Sequence, residues 1–381
     1  MKSIIITIIT LTAGISFGQV DSHYVNTGLN DLIESAIIKN SELSPIEYKR
    51  KAELVKKNQV SMQPTPEFEI MGEMIPVNME GRPTYKAMLS QGIILSDRLD
   101  ENEKLVDINV KEQEITKDIV RLKLIRDIKL NYFKLYLTER MLEYNEEYME
   151  ILQNVIRSQE INYSVGRGVQ NHILKSNNEL QKLELEKMDL ESNRKVFINN
   201  LEVLSNTNLD TFFQTQNVNL ILVLKTQIVD TNMLIADMLT SNPEFRFIDN
   251  KVLQNKIQRN LAGSEKTPDL MIKGGYSYNA DMYKSFVMVG LGISLPFVPW
   301  NSKRIDAKIQ ETELLDKMYL EEYKNVSQYL LRDMRNSLYK INTSSDKLDY
   351  IKNVFLPQTD QTFKSKLQAY VTATYDFLNL L

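Results

Sequence analysis

A chain of 381 residues with 43% hydrophobic and 25% charged residues, and only 13 glycines and 10 prolines, is ordered and mostly helical rather than disordered or collagen-like. Its net charge of -4 leaves no basic footprint for nucleic acid. The absence of cysteine removes disulfide frameworks, thiolate metal sites, cysteine nucleophiles and a lipidated N-terminal cysteine together.

Residues 1–18 read as a secretory signal, with Lys2 as the charged start, an apolar stretch from Ile4 to Ile15, and Ser16, Phe17 and Gly18 at the cleavage site. The apolar stretch is too short for a spanning helix, which needs about 20 residues. The mature chain then begins at Gln19. Beyond it the best candidate for a membrane helix, Phe286 to Trp300, is short and broken by Ser294, Pro296 and Pro299. A membrane location would therefore require a β-barrel.

One order of events occurs twice along the chain. Asn40-Ser41-Glu42-Leu43 opens a helical stretch, and Pro66-Glu67-Phe68 opens an alternating one. The same distance further on, Asn242-Pro243-Glu244-Phe245 and Pro268-Asp269-Leu270 do likewise. Each alternating stretch ends in a similar phrase, Ser90-Gln91-Gly92-Ile93 and Gly290-Leu291-Gly292-Ile293, and a long helix follows. The reading is one domain, 19–381, of two structural repeats, about 28–227 and 228–381.

The alternation predicts two hairpins. Leu270, Ile272, Tyr276 and Tyr278 share a face against Lys273, Gly275 and Ser277, and Val287, Val289, Leu291, Ile293 and Leu295 oppose Gly290, Gly292 and Ser294. In the first half Phe68, Ile70 and Met74 oppose Glu67, Glu69 and Glu73, while Tyr85, Ala87, Leu89 and Ile93 oppose Lys86 and Ser90. Strands of about ten residues suit a tilted membrane strand. Four strands cannot close a useful barrel, and open edges are forbidden in lipid, so a membrane reading needs several chains to share one barrel. A small soluble sheet capping a helical bundle would show the same alternation.

The helices are long. Asp97 to Ser164 holds no proline or glycine. Phe133, Leu137, Met141, Tyr144, Tyr148, Ile151 and Val155 form a heptad-like seam within it, and Leu330, Met334, Leu338 and Ile341 form another in the second half, after a start capped by Asn301 or Ser302. Both seams predict helix packed on helix.

The turn after the first long helix reads Tyr163-Ser164-Val165-Gly166-Arg167-Gly168, and a similar one reads Tyr370-Val371-Thr372-Ala373-Thr374-Tyr375-Asp376. A tyrosine, two residues, a small residue and an apolar restart resemble the helical tip of the TolC-like outer-membrane efflux proteins. Together with the leader, the doubled hairpins and Leu295-Pro296-Phe297 before the second long helix, the resemblance covers nearly the whole mature chain.

The resemblance implies a mainly α protein with a small β part: a homotrimer whose protomers each give four strands to a shared outer-membrane barrel, continued by a coiled-coil-like helical barrel across the periplasm. It implies a periplasmic adaptor and an inner-membrane transporter as partners, outer-membrane lipid around the barrel, no enzymatic activity and no cofactor. Tyr163, Gly166, Arg167, Gly168, Tyr370 and Ala373 fall on the adaptor-docking tip, although Ala373 replaces the tip glycine in the second copy. Asp376 falls near the acidic gate, where three copies would form a carboxylate ring; an N-cap for a final helix is the other reading. The second copy stops directly after its tip, so the second repeat reads as truncated.

No catalytic or metal-ligating constellation stands out, since His23 and His172 are the sole histidines. Met71, Met74 and Met79 raise copper handling, although methionine commonly fills packing gaps. The function expected is the exit duct of a tripartite efflux or type I secretion system. The alternatives are the duct of a heavy-metal pump, and a soluble periplasmic coiled-coil adaptor or scaffold.

Overall fold

The computed structural model describes residues 28–75, 82–209, 213, 215 and 231–371. Its elements, in chain order, are α1 (Leu29–Lys39), α2 (Leu43–Val60), β1 (Glu67–Glu73), β2 (Thr84–Ile93), α3 (Arg98–Ser164), α4 (Gln170–Ser205), α5 (Thr231–Ser241), α6 (Pro243–Ser264), β3 (Leu270–Asn279), β4 (Lys284–Ile293) and α7 (Pro299–Tyr350), which passes through a π-helical turn (Ile351–Phe355) into α8 (Leu356–Val371). The leader and the boundary assigned near residues 227 and 228 lie outside the described residues.

Without an internal breaker α3 runs 67 residues, about 100 Å at 1.5 Å per residue, and it is the spine against which α2, α4 and α6 pack. The other long helix, α7, is interrupted where Pro357 approaches. A proline ring crowds the carbonyl four residues back, and the widened π turn just before it relieves that crowding.

The two asparagines that open the repeated words act alike. The Asn40 carboxamide oxygen accepts the Glu42 amide at 2.8 Å, and that of Asn242 accepts the Glu244 amide at 2.8 Å. Asn242 thereby N-caps α6, and Pro243 stands where a missing N–H costs nothing.

Packing is distributed along the molecule in separate clusters. Leu32 and Ala36 of α1, Ile128, Tyr132 and Leu135 of α3, and Ile198 and Leu201 of α4 form the largest. Leu152, Ile156 and Leu183 close the far half of the α3–α4 pair. Phe245, Ile248 and Val326 join α6 to α7, with the Phe245 and Tyr323 rings 5.0 Å apart.

Two expectations need correction. The α3 stripe that packs on α4 is Ile128, Tyr132, Leu135, Asn145, Leu152 and Ile156; the expected seam lies beside it, with Leu137, Met141, Tyr144 and Ile151 more than half exposed. Both stripes are apolar at helical spacing, and spacing alone does not say which one faces α4. The start of α7 also differs: Pro299 is its first residue after Val298, and Asn301 lies inside the helix, its side-chain amide donating to the Pro296 carbonyl at 3.0 Å.

Candidate functional site: a two-faced sheet and a helical tip

The four strands form one antiparallel sheet in the order β1-β2-β3-β4, so the two hairpins, far apart in sequence, meet along β2 and β3. The register runs Phe68 to Leu89, Ala87 to Tyr276, and Tyr276 to Val287, which gathers the apolar residues of all four strands on one face as the alternation predicted. Met74 lies one residue beyond the end of β1 and takes a left-handed φ of 53°.

Burial on this sheet is the inverse of a water-soluble sheet. Val287, Val289 and Leu291 are 81%, 81% and 75% exposed, whereas Thr84, Ser90 and Ser277 on the polar face are 6%, 8% and 5% exposed. The apolar face spans Phe68, Ile70, Tyr85, Leu89, Ile272, Tyr276 and the β4 residues, a continuous surface that a soluble protein does not leave open. Ten-residue strands tilted near 45° rise about 24 Å, matching the roughly 25 Å apolar band of an outer-membrane barrel. Tyrosines 85, 276 and 278 lie toward the hairpin end of the face, and Phe297 and Trp300, 70% and 75% exposed, lie just beyond its other end. Aromatic girdles occupy such boundaries.

The other face mixes charged, hydroxyl and glycine residues with methionines and Phe286. Its rows across the sheet are Glu67-Ser90-Lys273-Gly290, Glu69-Met88-Gly275-Met288, Met71-Lys86-Ser277-Phe286 and Glu73-Thr84-Asn279-Lys284. Lys86 and Glu73 pair across β1 and β2. The hairpin tips are tied together, Arg82 stacking 4.9 Å from the centre of the Tyr283 ring and donating to its hydroxyl.

At the opposite end of the strands the sheet joins the helices. The Arg98 guanidinium at the start of α3 pairs with Asp269 at 2.7 Å, and the Asp269 amide donates to the Ser294 hydroxyl at 2.7 Å. The start of α3 is thus locked to the entry of β3 and the exit of β4, a long-range connection that the sequence does not announce, because nothing in either local word points to a partner so distant.

The full length of α3 separates the sheet from the expected tip. There Gly166 takes φ 74°, the Gly166 amide donates to the Tyr163 carbonyl at 3.0 Å, and the Arg167 amide donates to the Asn162 carbonyl at 2.9 Å. This is a glycine-capped left-handed helix end that satisfies the last carbonyls of α3. Gly168 is required for a different reason: a Cβ there would lie 2.8 Å from the Tyr163 backbone nitrogen. Tyr163, Val165, Arg167 and Val169 are exposed, so the turn presents a tyrosine, an arginine and two valines to solvent. In the second copy Tyr370 belongs to the last turn of α8, and its side chain, Ala373 and Asp376 lie outside the described residues.

Among the described residues no His, Asp and Glu cluster could hold a metal ion, and no helix is long and apolar enough to cross a membrane. Of the three methionines, Met71 lies on the same face as Lys86 and Ser277, Met74 is 76% exposed after the strand end, and Met79 lies outside the described residues.

No protein-family sequence model matches the chain, and no curated protein matches it by sequence. Solved structures do match. The structure of CusC, whose study concerns folding and transmembrane channel formation, superposes with a TM-score of 0.77 at 15% identity, over 94% of this chain and 88% of CusC. The outer-membrane channel OprN matches with a TM-score of 0.74 at 14% identity, over 92% of this chain and 82% of OprN. The Campylobacter jejuni outer-membrane channel CmeC matches at 0.70 and 16% identity, over 92% of this chain and 78% of CmeC. Likeness of this extent at such low identity is a likeness of backbone, and the backbone is that of the TolC-like outer-membrane channels.

Proposed function

We propose that this protein is the exit-duct subunit of an export system, set in the outer membrane by its sheet and carried into the periplasm by its helices. The observation that supports this most strongly is the inverted sheet: exposed aliphatic and aromatic residues on one face, charged, hydroxyl and glycine residues interspersed with four methionines and Phe286 on the other, and unpaired outer edges on β1 and β4 among the described residues. An open edge in lipid costs several kcal/mol per unsatisfied backbone group, so strands of other copies complete the barrel. Three copies of four strands give a twelve-stranded barrel, within the range known for outer-membrane proteins. The soluble adaptor or scaffold reading leaves the exposed Val287-Val289-Leu291 face without an environment.

In this reading residues 1–18 direct secretion, and the mature chain is one domain of two repeats meeting near residue 227. A periplasmic adaptor docks at the tip formed by Tyr163, Gly166, Arg167 and Gly168, joined by Tyr370 and Ala373 of the second copy, and Asp376 lines the constriction there. Transport energy comes from an inner-membrane transporter, and the duct performs no chemistry.

Envelope fractionation followed by planar-bilayer recording tests the reading. Heat-resistant trimers in the outer-membrane fraction with discrete conductance are the expected result. Detergent-free soluble protein without conductance overturns it.

A further inference from the structure

The chemistry that holds α3 changes along its length. Beyond residue 120 it is held by apolar clusters shared with α1 and α4, one around Tyr132 and one around Leu152. Before that point both of its flanks are ionic. Toward α2, Lys57 pairs with Glu103 and Asp107 at 3.4 and 3.0 Å, and Arg50 approaches Glu114 at 3.8 Å. Toward α6, Lys251 pairs with Glu112 at 2.8 Å, Arg246 pairs with Asp118 at 3.1 Å, and the Asn260 side-chain amide donates to Glu101 at 3.0 Å. In each of these contacts the acid belongs to α3 and the cation or donor to its neighbour; Lys117 with Glu47 runs the other way.

Apolar packing does little to back these pairs. Of α2 only its first residue, Leu43, enters an apolar cluster with α3, and no cluster joins α3 to α6 among the described residues. The apolar side of α6 is turned instead to α7, through Phe245, Ile248 and Val326. An open cavity of about 340 Å³, lined by Ile108, Leu253, Ile257 and Lys256, interrupts the α3–α6 contact.

From this division we infer that the first third of α3, with α2 and α6 on its flanks, is a collar below the sheet whose seams loosen as ionic strength rises, while the distal α3–α4 pair stays closed. Partly exposed ion pairs contribute little singly and are screened by salt, the Debye length falling from about 10 Å at 0.1 M to about 3 Å at 1 M. Apolar contacts are not weakened in this way, so one helix carries a responsive and an unresponsive segment. The collar covers residues 98–120, about 33 Å of helix. None of this depends on the duct reading, because only contacts within one chain are involved.

Hydrogen exchange of the purified full chain tests the collar, at about 0.05 M and about 1 M NaCl. Amides in 98–118 and 246–260 should exchange about threefold faster or more in high salt, whereas those in 124–156 and 176–201 should not change. Arg246→Gln/Lys251→Gln should raise exchange of α6 at low salt and flatten its salt response, and Lys182→Gln on α4, whose partner Glu179 lies on the same helix, should do neither. A response spread evenly along α3, no response at all, or a salt response that persists undiminished in the double variant overturns the collar. Should the double variant not fold, the wild-type profile alone decides between these outcomes.

Discussion

The carboxylate of Glu139 on α3 accepts both the amide and the hydroxyl of Thr215, at 3.1 and 2.5 Å. The Arg194 guanidinium on α4 approaches the other carboxylate oxygen at 3.5 Å and donates to the Phe213 carbonyl at 2.6 Å. One nearly buried acid therefore fastens the chain that follows α4 against the long helical pair.

Removing that acid leaves Arg194 and the Thr215 donors with fewer acceptors in a dry place. Glu139→Ala is expected to cost about 3 kcal/mol, the range for breaking a buried charged pair. Glu139→Gln, which keeps an acceptor, should cost less. Denaturant unfolding of the detergent-solubilised protein measures both, and equal losses would argue that the retained acceptor oxygen contributes nothing without the charge.

The inverted sheet makes the two faces respond oppositely to substitution. Val289→Arg places a charge near mid-strand on the apolar face and should cost about 2–4 kcal/mol at the bilayer midplane, seen as a loss of outer-membrane trimers. Gly290→Ser on the inner face should assemble normally, since a Cβ there meets only Lys273 at an ordinary 3.7 Å. Normal trimer yield from Val289→Arg would reverse the assignment of faces.

At the tip the two glycines should fail for different reasons. Gly166→Ala has open space around the added methyl but must hold φ 74°, a cost of about 1–2 kcal/mol. Gly168→Ala drives a methyl into the Tyr163 backbone and must displace the turn. Hydrogen exchange across 160–172 should rise modestly in the first variant and extensively in the second; matching profiles would contradict this division.

Acid should weaken an ion pair within the first half of α2 and, to a lesser extent, its contact with α3. The Arg50 guanidinium, hydrogen-bonded to Glu47 at 2.8 Å, lowers the pKa of that carboxyl to about 2 against the opposing effect of desolvation, with Lys117 of α3 assisting at 3.4 Å. Because the folded value lies below the unfolded value, the stabilisation is complete above about pH 4.5 and is lost as the pH falls toward about 2. Glu47 is solvated, so the effect is small. Between about pH 5 and about pH 3 the Tm of Glu47→Gln should fall less than that of wild type, and parallel curves would count against it.

How much could be read before the structure follows from the range of the interactions. The hairpins were legible because alternation reports a strand's two faces through adjacent residues alone, as in Leu270 to Tyr278. The length of α3 was legible because a run without proline or glycine contains nothing to stop it. Gly166 was legible because a helix end needs one residue at positive φ. The start of α7 was misplaced because Asn301 and Ser302 are good caps in isolation, while Pro299 is better preorganised for the first helical position.

By itself, then, the sequence determined what local sterics and periodicity control: the strand faces, the helix lengths and the glycine cap at the tip. Only the tertiary structure decided which of two apolar stripes on α3 meets α4 and that Arg98 finds Asp269. Those outcomes depend on the register between segments far apart in the chain, and register is set by the sum of many contacts that no single stretch of residues carries.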